Sequence, residues 1–254
     1  STEERQYFPQ SYGVMFEKVQ SLRYGENPHQ KAAFYRDVHV SAEPSLVKAN
    51  KLHGKELSYN NIADTDAALD IIKDLTQAKF AAVIIKHANP CGAASSEVSL
   101  KEAFVKARLA DPVSSFGGIV SFNCEVDANT AAELAEGYFE VIAAPSFEQA
   151  AVDILSKKKN VRLLEVAGLG KHCGVSGYTL RKVSGGLLVQ ERNSGVSNCA
   201  AAKVVTKRQP NAEELTALDF SWRICKHVKS NAIVFASTDK TLGIGAGQMS
   251  RVDS

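Results

Sequence analysis

The feature that most constrains the fold is the apolar run at residues 80–85, FAAVII, closed by Lys86 and His87. It is far shorter than the roughly 20 apolar residues needed to cross a bilayer. It has the length of a buried strand. Comparable runs follow at Gly118–Phe122, Phe139–Ala144 and 161–166. Segments with helical signals separate them. Asp64 reads as the N-cap of a helix to about Lys79, with Ala68, Ile71, Ile72 and Leu75 on one face. Ser99 with Glu102, and Thr130 with Glu133, read as capping boxes. Pro112 stops the first of these helices and Gly137 suits the end of the second. Ser146 with Gln149 opens another, to about Lys158.

Strands alternating with helices predict a layered α/β sheet containing several parallel strands. Two early segments, 21–30 and 51–61, read as loops rich in Gly, Asn and polar residues. The stretch 167–207 is less regular, with a strand candidate at 187–191, and a subdomain boundary is expected there. Residues 1–195 would form the first unit and 196–254 the start of a second. After Pro210, Asn211 is the expected cap of a helix with the stripe Leu215, Leu218, Trp222, Cys225 and Val228. A strand at Ala232–Ala236 and a glycine-rich extended segment at 242–247 follow. Residues 248–254 read as the first turn of a helix, so the chain is expected to be cut inside the second unit.

Composition narrows the function classes. Of 254 residues, 44% are hydrophobic and 23% charged, as in soluble globular proteins. The net charge of +2 comes without a long basic block, so neither a nucleic-acid nor a membrane partner is expected. Five cysteines without a C-x-x-C argue against a disulfide framework or a zinc ribbon, and point to the cytosol. His29, His53, His87, His172 and His227 lack metal-ligand spacing, and adjacent His172 and Cys173 are poorly placed to share one zinc. No metal is expected.

The strongest chemical signal is residues 86–92, KHANPCG, at the end of a buried strand. Ligands in open α/β sheets bind outside the carboxyl ends of strands. There Lys86 and His87 form a candidate acid–base pair. Neighbours in a regular strand point to opposite faces, so the two share a cavity only if the strand breaks. Asn89 and Pro90 are the expected breakers. The plainer alternative is a solvated lysine beside a hydrogen-bonded histidine. Ser114, Ser115, Phe116, Gly117 and Gly118 form a helix-to-strand loop able to offer N–H and O–H groups to an anion, or an ordinary connection. Residues 243–247, GIGAG, lack the third glycine of the dinucleotide fingerprint, because Gln248 stands there. Asn231 is either a helix-end cap or a ligand contact.

Together, residues 22–30 (LRYGENPHQ), 86–92, 111–118 (DPVSSFGG), 226–232 (KHVKSNA) and 243–251 (GIGAGQMSR) resemble the transformylase portion of the bifunctional family that joins AICAR formyltransferase to IMP cyclohydrolase. The similarity runs from about Val19 to Ser254, outside the cyclohydrolase domain. It implies a cytidine-deaminase-like three-layer α/β/α unit occurring twice, the second copy truncated here. It also implies transfer of a formyl group from the co-substrate 10-formyltetrahydrofolate to the 5-amino group of AICAR, in homodimers with interfacial active sites. Lys86 and His87 match the catalytic pair and Arg23 and Tyr24 the nucleotide-binding residues. Asn61, Gly117, Glu140, Asn231 and Arg251 fall at positions that contact AICAR or the folate. Two other readings stand beside this one. A zinc nucleobase deaminase needs H-x-E and P-C-x-x-C, whereas this chain has His87-Ala88-Asn89 and Pro90-Cys91-Gly92-Ala93-Ala94. An inactive nucleotide-binding or dimerising fragment is the other.

Overall fold

A computed structural model describes residues 8–39, 42–171, 177–195 and 198–254. The sequence candidates His172 and Cys173 lie outside the described residues. A six-stranded sheet runs in the order β3 (Asn50–His53), β8 (Arg162–Glu165), β7 (Phe139–Ala144), β6 (Gly118–Phe122), β4 (Phe80–Lys86) and β5 (Asn89–Ser96). Only β6, β7 and β8 are mutually parallel; β4 is antiparallel to β5 and β6, and β3 to β8. The helices are α1 (Tyr59–Asp74), α2 (Leu100–Ala110), α3 (Ala128–Glu136), α4 (Gln149–Leu155) and α5 (Ala212–Cys225).

Side-chain alternation explains the layers. In β4, Ala81, Val83 and Ile85 face one side, joining Ala68, Leu69, Ile71 and Ile72 of α1. Ala82 and Ile84 face the other, joining Phe104 of α2, Leu134 of α3 and Leu155 of α4. Residues 81–85 are all fully buried, which is why the strand reads as a continuous apolar run. The result is a three-layer α/β/α unit. Three two-stranded antiparallel sheets flank it: β1 (Phe16–Leu22) with β2 (Ala32–Asp37), β9 (Tyr178–Val183) with β10 (Gly186–Glu191), and β11 (Ala232–Ala236) with β12 (Thr241–Ala246).

Several local expectations are corrected. The N-cap of α1 is Ser58, whose hydroxyl accepts the Asn61 N–H while the Asn61 side chain accepts the Ser58 N–H. This reciprocal pair starts the helix ahead of Asp64, which sits inside it. Asp127, not Thr130, caps α3. The Ser146 hydroxyl bonds Glu125 instead of opening α4. Ser99 caps α2, but the Glu102 side chain turns to Ser96 and Lys106, leaving the box half made. Residues 248–254 form bends rather than a helical turn.

On α5 the expected stripe is met only in part: Val228 is buried and Leu215 and Cys225 are half-buried, but two of its members face outward. Phe220 and Ile224, with Val228 beyond, are buried against α1, whereas Leu218 and Trp222 are 49% and 57% exposed. The exposed face looks into a groove of about 830 Å³ shared with Phe235 and the segment 202–206. The outer edge of β5 is covered by residues 239–241: Ser95 N–H donates to the Asp239 carbonyl at 2.7 Å, and buried Thr241 exchanges hydrogen bonds with the Ala93 backbone. An otherwise open strand edge is thereby occupied.

Candidate active site

The strand breaks after Lys86 in a tight turn, and Asn89-Pro90 begins the return strand instead of ending the sheet. Lys86 pairs with Asn89, and His87 and Ala88 between them have φ of +51° and +59°. Two successive left-handed residues match the twist of a two-residue hairpin. Neither is glycine, so the turn carries strain of a kind that needs external support. The Asp64 carboxylate supplies it, accepting the His87 N–H at 3.2 Å and the Ala88 N–H at 2.7 Å. The Asn89 amide adds a bond to the His87 carbonyl.

Lys86 is fixed from the other side. Its Nζ donates to the carbonyls of Phe116 at 2.9 Å and Gly117 at 3.2 Å, two of the three donors an ammonium offers. Gly117 has φ of +69°, and a Cβ there would stand 3.0 Å from Lys86 Nζ and 3.4 Å from the Tyr138 ring. Glycine at this position therefore permits both the backbone turn and the approach of the amine. The Gly117 N–H donates to the Tyr138 carbonyl at 2.8 Å, tying the loop to the start of β7. Phe116 leaves its ring 67% exposed, tilted against Tyr138 at 5.3 Å between centroids.

The rim continues through Glu140 and Asn61. Asn61 is buried, and its Nδ2 donates to Glu140 Oε2 at 2.8 Å while its Oδ1 serves the helix cap. Arg162 approaches the same carboxylate oxygen at 3.9 Å. This edge is the carboxyl end of β4 but the amino ends of parallel β6, β7 and β8, because β4 runs against them. Of these candidates, Lys86 and His87 stand at a carboxyl strand end, and Gly117, Glu140 and Arg162 at amino ends.

The remaining candidates are placed differently. Ser114 is exposed, its N–H donating to Asp111. The hydroxyl of buried Ser115 donates to the Pro112 carbonyl, so it serves the loop itself. Arg23 and Tyr24 follow β1, the guanidinium 5.8 Å above the Tyr24 ring, in a loop closed by Gly25 and Gln30. Among the described residues no hydrogen bond or ion pair ties Arg23 or Tyr24 to Lys86 or His87. Asn231 bonds the Gln248 and Met249 carbonyls, and Lys229, two residues before it, donates its N–H to Asn89 Oδ1 at 3.3 Å. Arg251 is exposed two residues past Met249, whose carbonyl accepts from the Asn231 amide.

Two hollows among the described residues are lined by neither Lys86 nor His87. One of about 420 Å³ lies at the far end of α1 beside Asp74 and Arg223; the other is the α5 groove. Among the described residues no group of three or more His, Cys, Asp or Glu is placed to hold a metal ion, and no helix is long and apolar enough to cross a membrane. Sequence reasoning missed Asp64 as the support of the turn, Tyr138 as the partner of Gly117, and Arg162. Asp64 was visible as an acidic residue near a helix start; the other two are joined to the rim only by folding.

This edge defines a candidate group-transfer site: a fixed ammonium, an exposed imidazole and a glycine-backed loop on an α/β sheet. A sequence profile described as the AICARFT/IMPCHase bienzyme matches residues 1–254, so the chain belongs to that family. It is 50% identical over 247 residues to a bifunctional purine biosynthesis protein PurH of Magnetococcus marinus, covering 97% of this chain and 46% of that protein.

Proposed function

We propose that this chain carries the nucleotide-activating part of an AICAR formyltransferase. The reaction moves the formyl group of 10-formyltetrahydrofolate to the 5-amino group of AICAR, giving formyl-AICAR and tetrahydrofolate in purine biosynthesis. The observation that carries the reading is the strained Lys86–His87 turn, braced by Asp64 and by the carbonyls of Phe116 and Gly117, in a chain that matches the bienzyme family throughout.

The AICAR amine is a weak nucleophile, because its lone pair delocalises into the imidazole and carboxamide. As its nitrogen attacks the formyl carbon, His87 takes a proton, directly or through the carboxamide. The carbonyl electrons move to oxygen, and the Lys86 ammonium faces that charge. Collapse re-forms the carbonyl and breaks the bond to folate N10, which leaves with a proton supplied from the same pair. Arg23 and Arg251 are the proposed phosphate partners, where a planar fork of donors suits an anion. Tyr24, Asn61, Gly117, Glu140 and Asn231 are proposed to contact AICAR or the folate, with Ser114 and Ser115 shaping the loop behind them.

Both substrates are anions while the net charge is only +2, so attraction is local to the site. Because the chain spans 46% of its PurH relative, we place full catalysis in the complete protein. There we expect a cytosolic homodimer with interfacial sites, the unit beginning at residue 196 being completed by further chain. Formyl transfer from 10-formyltetrahydrofolate to AICAR tests the reading. The complete protein is expected to turn over and this chain alone to fall far below it. Absence of transfer by the complete protein would refute the assignment, and full activity of the chain alone would refute its division.

A further inference from the structure

The run Lys226–Asn231 connects the far end of α1 to the rim. At that far end Asp74 Oδ2 receives both Lys226 Nζ at 2.8 Å and His227 Nε2 at 2.6 Å. The three side chains are only 11–17% exposed. Arg223 Nη1 adds a bond to the Asp74 carbonyl at 3.3 Å. Lys226 and Arg223 thus place cations at the carboxyl end of α1, where the helix dipole is negative. Burial alone would raise the Asp74 carboxyl, but the bonds from His227 and Lys226 outweigh it and hold the group below its usual range.

From this anchor the chain passes Val228, which is 8% exposed in the core shared with α1. Lys229 bonds Asn89 through its N–H and accepts from the Gly247 N–H at 2.7 Å. Asn231 donates its backbone N–H at 3.1 Å and its amide at 3.0 Å to the Gln248 carbonyl, and its amide again to Met249 at 3.1 Å. From His227 to Asn231 the backbone of this strap reaches at most about 14 Å, which bounds how far Asn231 can move from the anchor. The strap's far end is cross-tied to the loop that leads to Arg251.

We propose that Asp74, through Lys226 and His227, is a positioning residue that sets Asn231 and the Arg251 loop against the Lys86–His87 turn. The inference rests on the reading above, in which Arg251 holds the nucleotide phosphate and Asn231 contacts AICAR or the folate, and it assigns Asn231 to AICAR. Loss of the clamp lets the strap shift and releases Asn89 from Lys229, while Asp64 and the carbonyls of Phe116 and Gly117 still hold the reacting pair. Its signature is weaker nucleotide binding with chemistry preserved.

Kinetics of the complete protein decide it. Asp74→Asn is expected to raise the KM for AICAR about tenfold, with kcat within about threefold and the KM for 10-formyltetrahydrofolate unchanged. Combined with Asn231→Ala, it should raise that KM no further than Asn231→Ala alone, because both act through one contact. His227→Gln, a milder release, should raise it about threefold, and it decides the matter if Asp74→Asn does not fold. A purely structural role would lower thermal stability and leave the KM within twofold; that result, or full additivity with Asn231→Ala, overturns the clamp. An unchanged KM in Asn231→Ala itself overturns the nucleotide-site reading, and the clamp with it.

Discussion

The rim on β4, β6 and β7 and the region formed by α5 with β11 and β12 hold their candidate residues by different means. On the rim, Lys86, Gly117 and Glu140 stand at the ends of strands whose interiors are fully buried, and each is bonded to a neighbouring element. In the second region, Trp222, Phe235 and Leu242 are 57%, 68% and 57% exposed. Asn231 there is placed by a strap bonded at its two ends. The first region is rigid because sheet packing fixes it. The second depends on a few polar anchors, so it should respond to pH and to single substitutions more readily.

The largest contrast is expected in the chemistry. In the complete protein, Lys86→Ala or His87→Ala should lower turnover at least about 100-fold, the scale of acid–base catalysis. The melting temperature should shift little, since His87 is exposed and Lys86 lies at the strand's end. Near-normal turnover in both would remove the rim from the reaction. Gly117→Ala comes next. A methyl group 3.0 Å from Lys86 Nζ, on a residue with φ of +69°, should destabilise by about 1–2 kcal/mol. Denaturant unfolding measures that cost, and turnover should fall with it because the amine is displaced.

Acid should separate the two regions. A carboxyl held below its ordinary value stabilises the fold above that value, near 4, and loses the contribution as pH falls through its lower folded value. For Asp74 the window therefore lies below about pH 4. Trp222 is the sole tryptophan and sits on α5, so its fluorescence should change in that window before the far-ultraviolet signal of the sheet does. Simultaneous change would deny the contrast.

Thiol chemistry probes the packed side. Burial, with Asp111 adding to it, pushes the Cys91 thiol up to about 12, and burial with Asp127 pushes Cys124 up to about 11. Both should alkylate slowly in the native state at pH 8 and rapidly after unfolding, because the thiolate is the reacting form. The smallest effect concerns the turn. Ala88→Gly removes a side chain from a left-handed position and should stabilise by at most about 1 kcal/mol.

Much of the layered fold was legible because it is written locally. The run at residues 80–85 is apolar at every position since both faces of β4 are covered, and Pro112 and Gly137 mark helix ends by backbone chemistry alone. The phase of α5 was not legible. That helix carries two apolar faces, and only folding shows that Phe220 and Ile224 meet α1 while Leu218 and Trp222 face the groove. The Lys86–His87 motif and a break after it were visible, but the brace of that turn was not, because Asp64 lies 23 positions away from His87. Asn61 and Glu140 are 79 positions apart, and Asp74 and His227 153. Side-chain partnerships at such separations leave no periodic or local trace.

The most direct measurement is a crystal structure of the complete protein bound to an AICAR-like nucleotide. The 5-amino nitrogen is expected within about 3 Å of the His87 ring, or one water from it, with Lys86 Nζ facing the formyl position. A nucleotide seated away from this turn, with both side chains remote from its amine, would contradict the assignment.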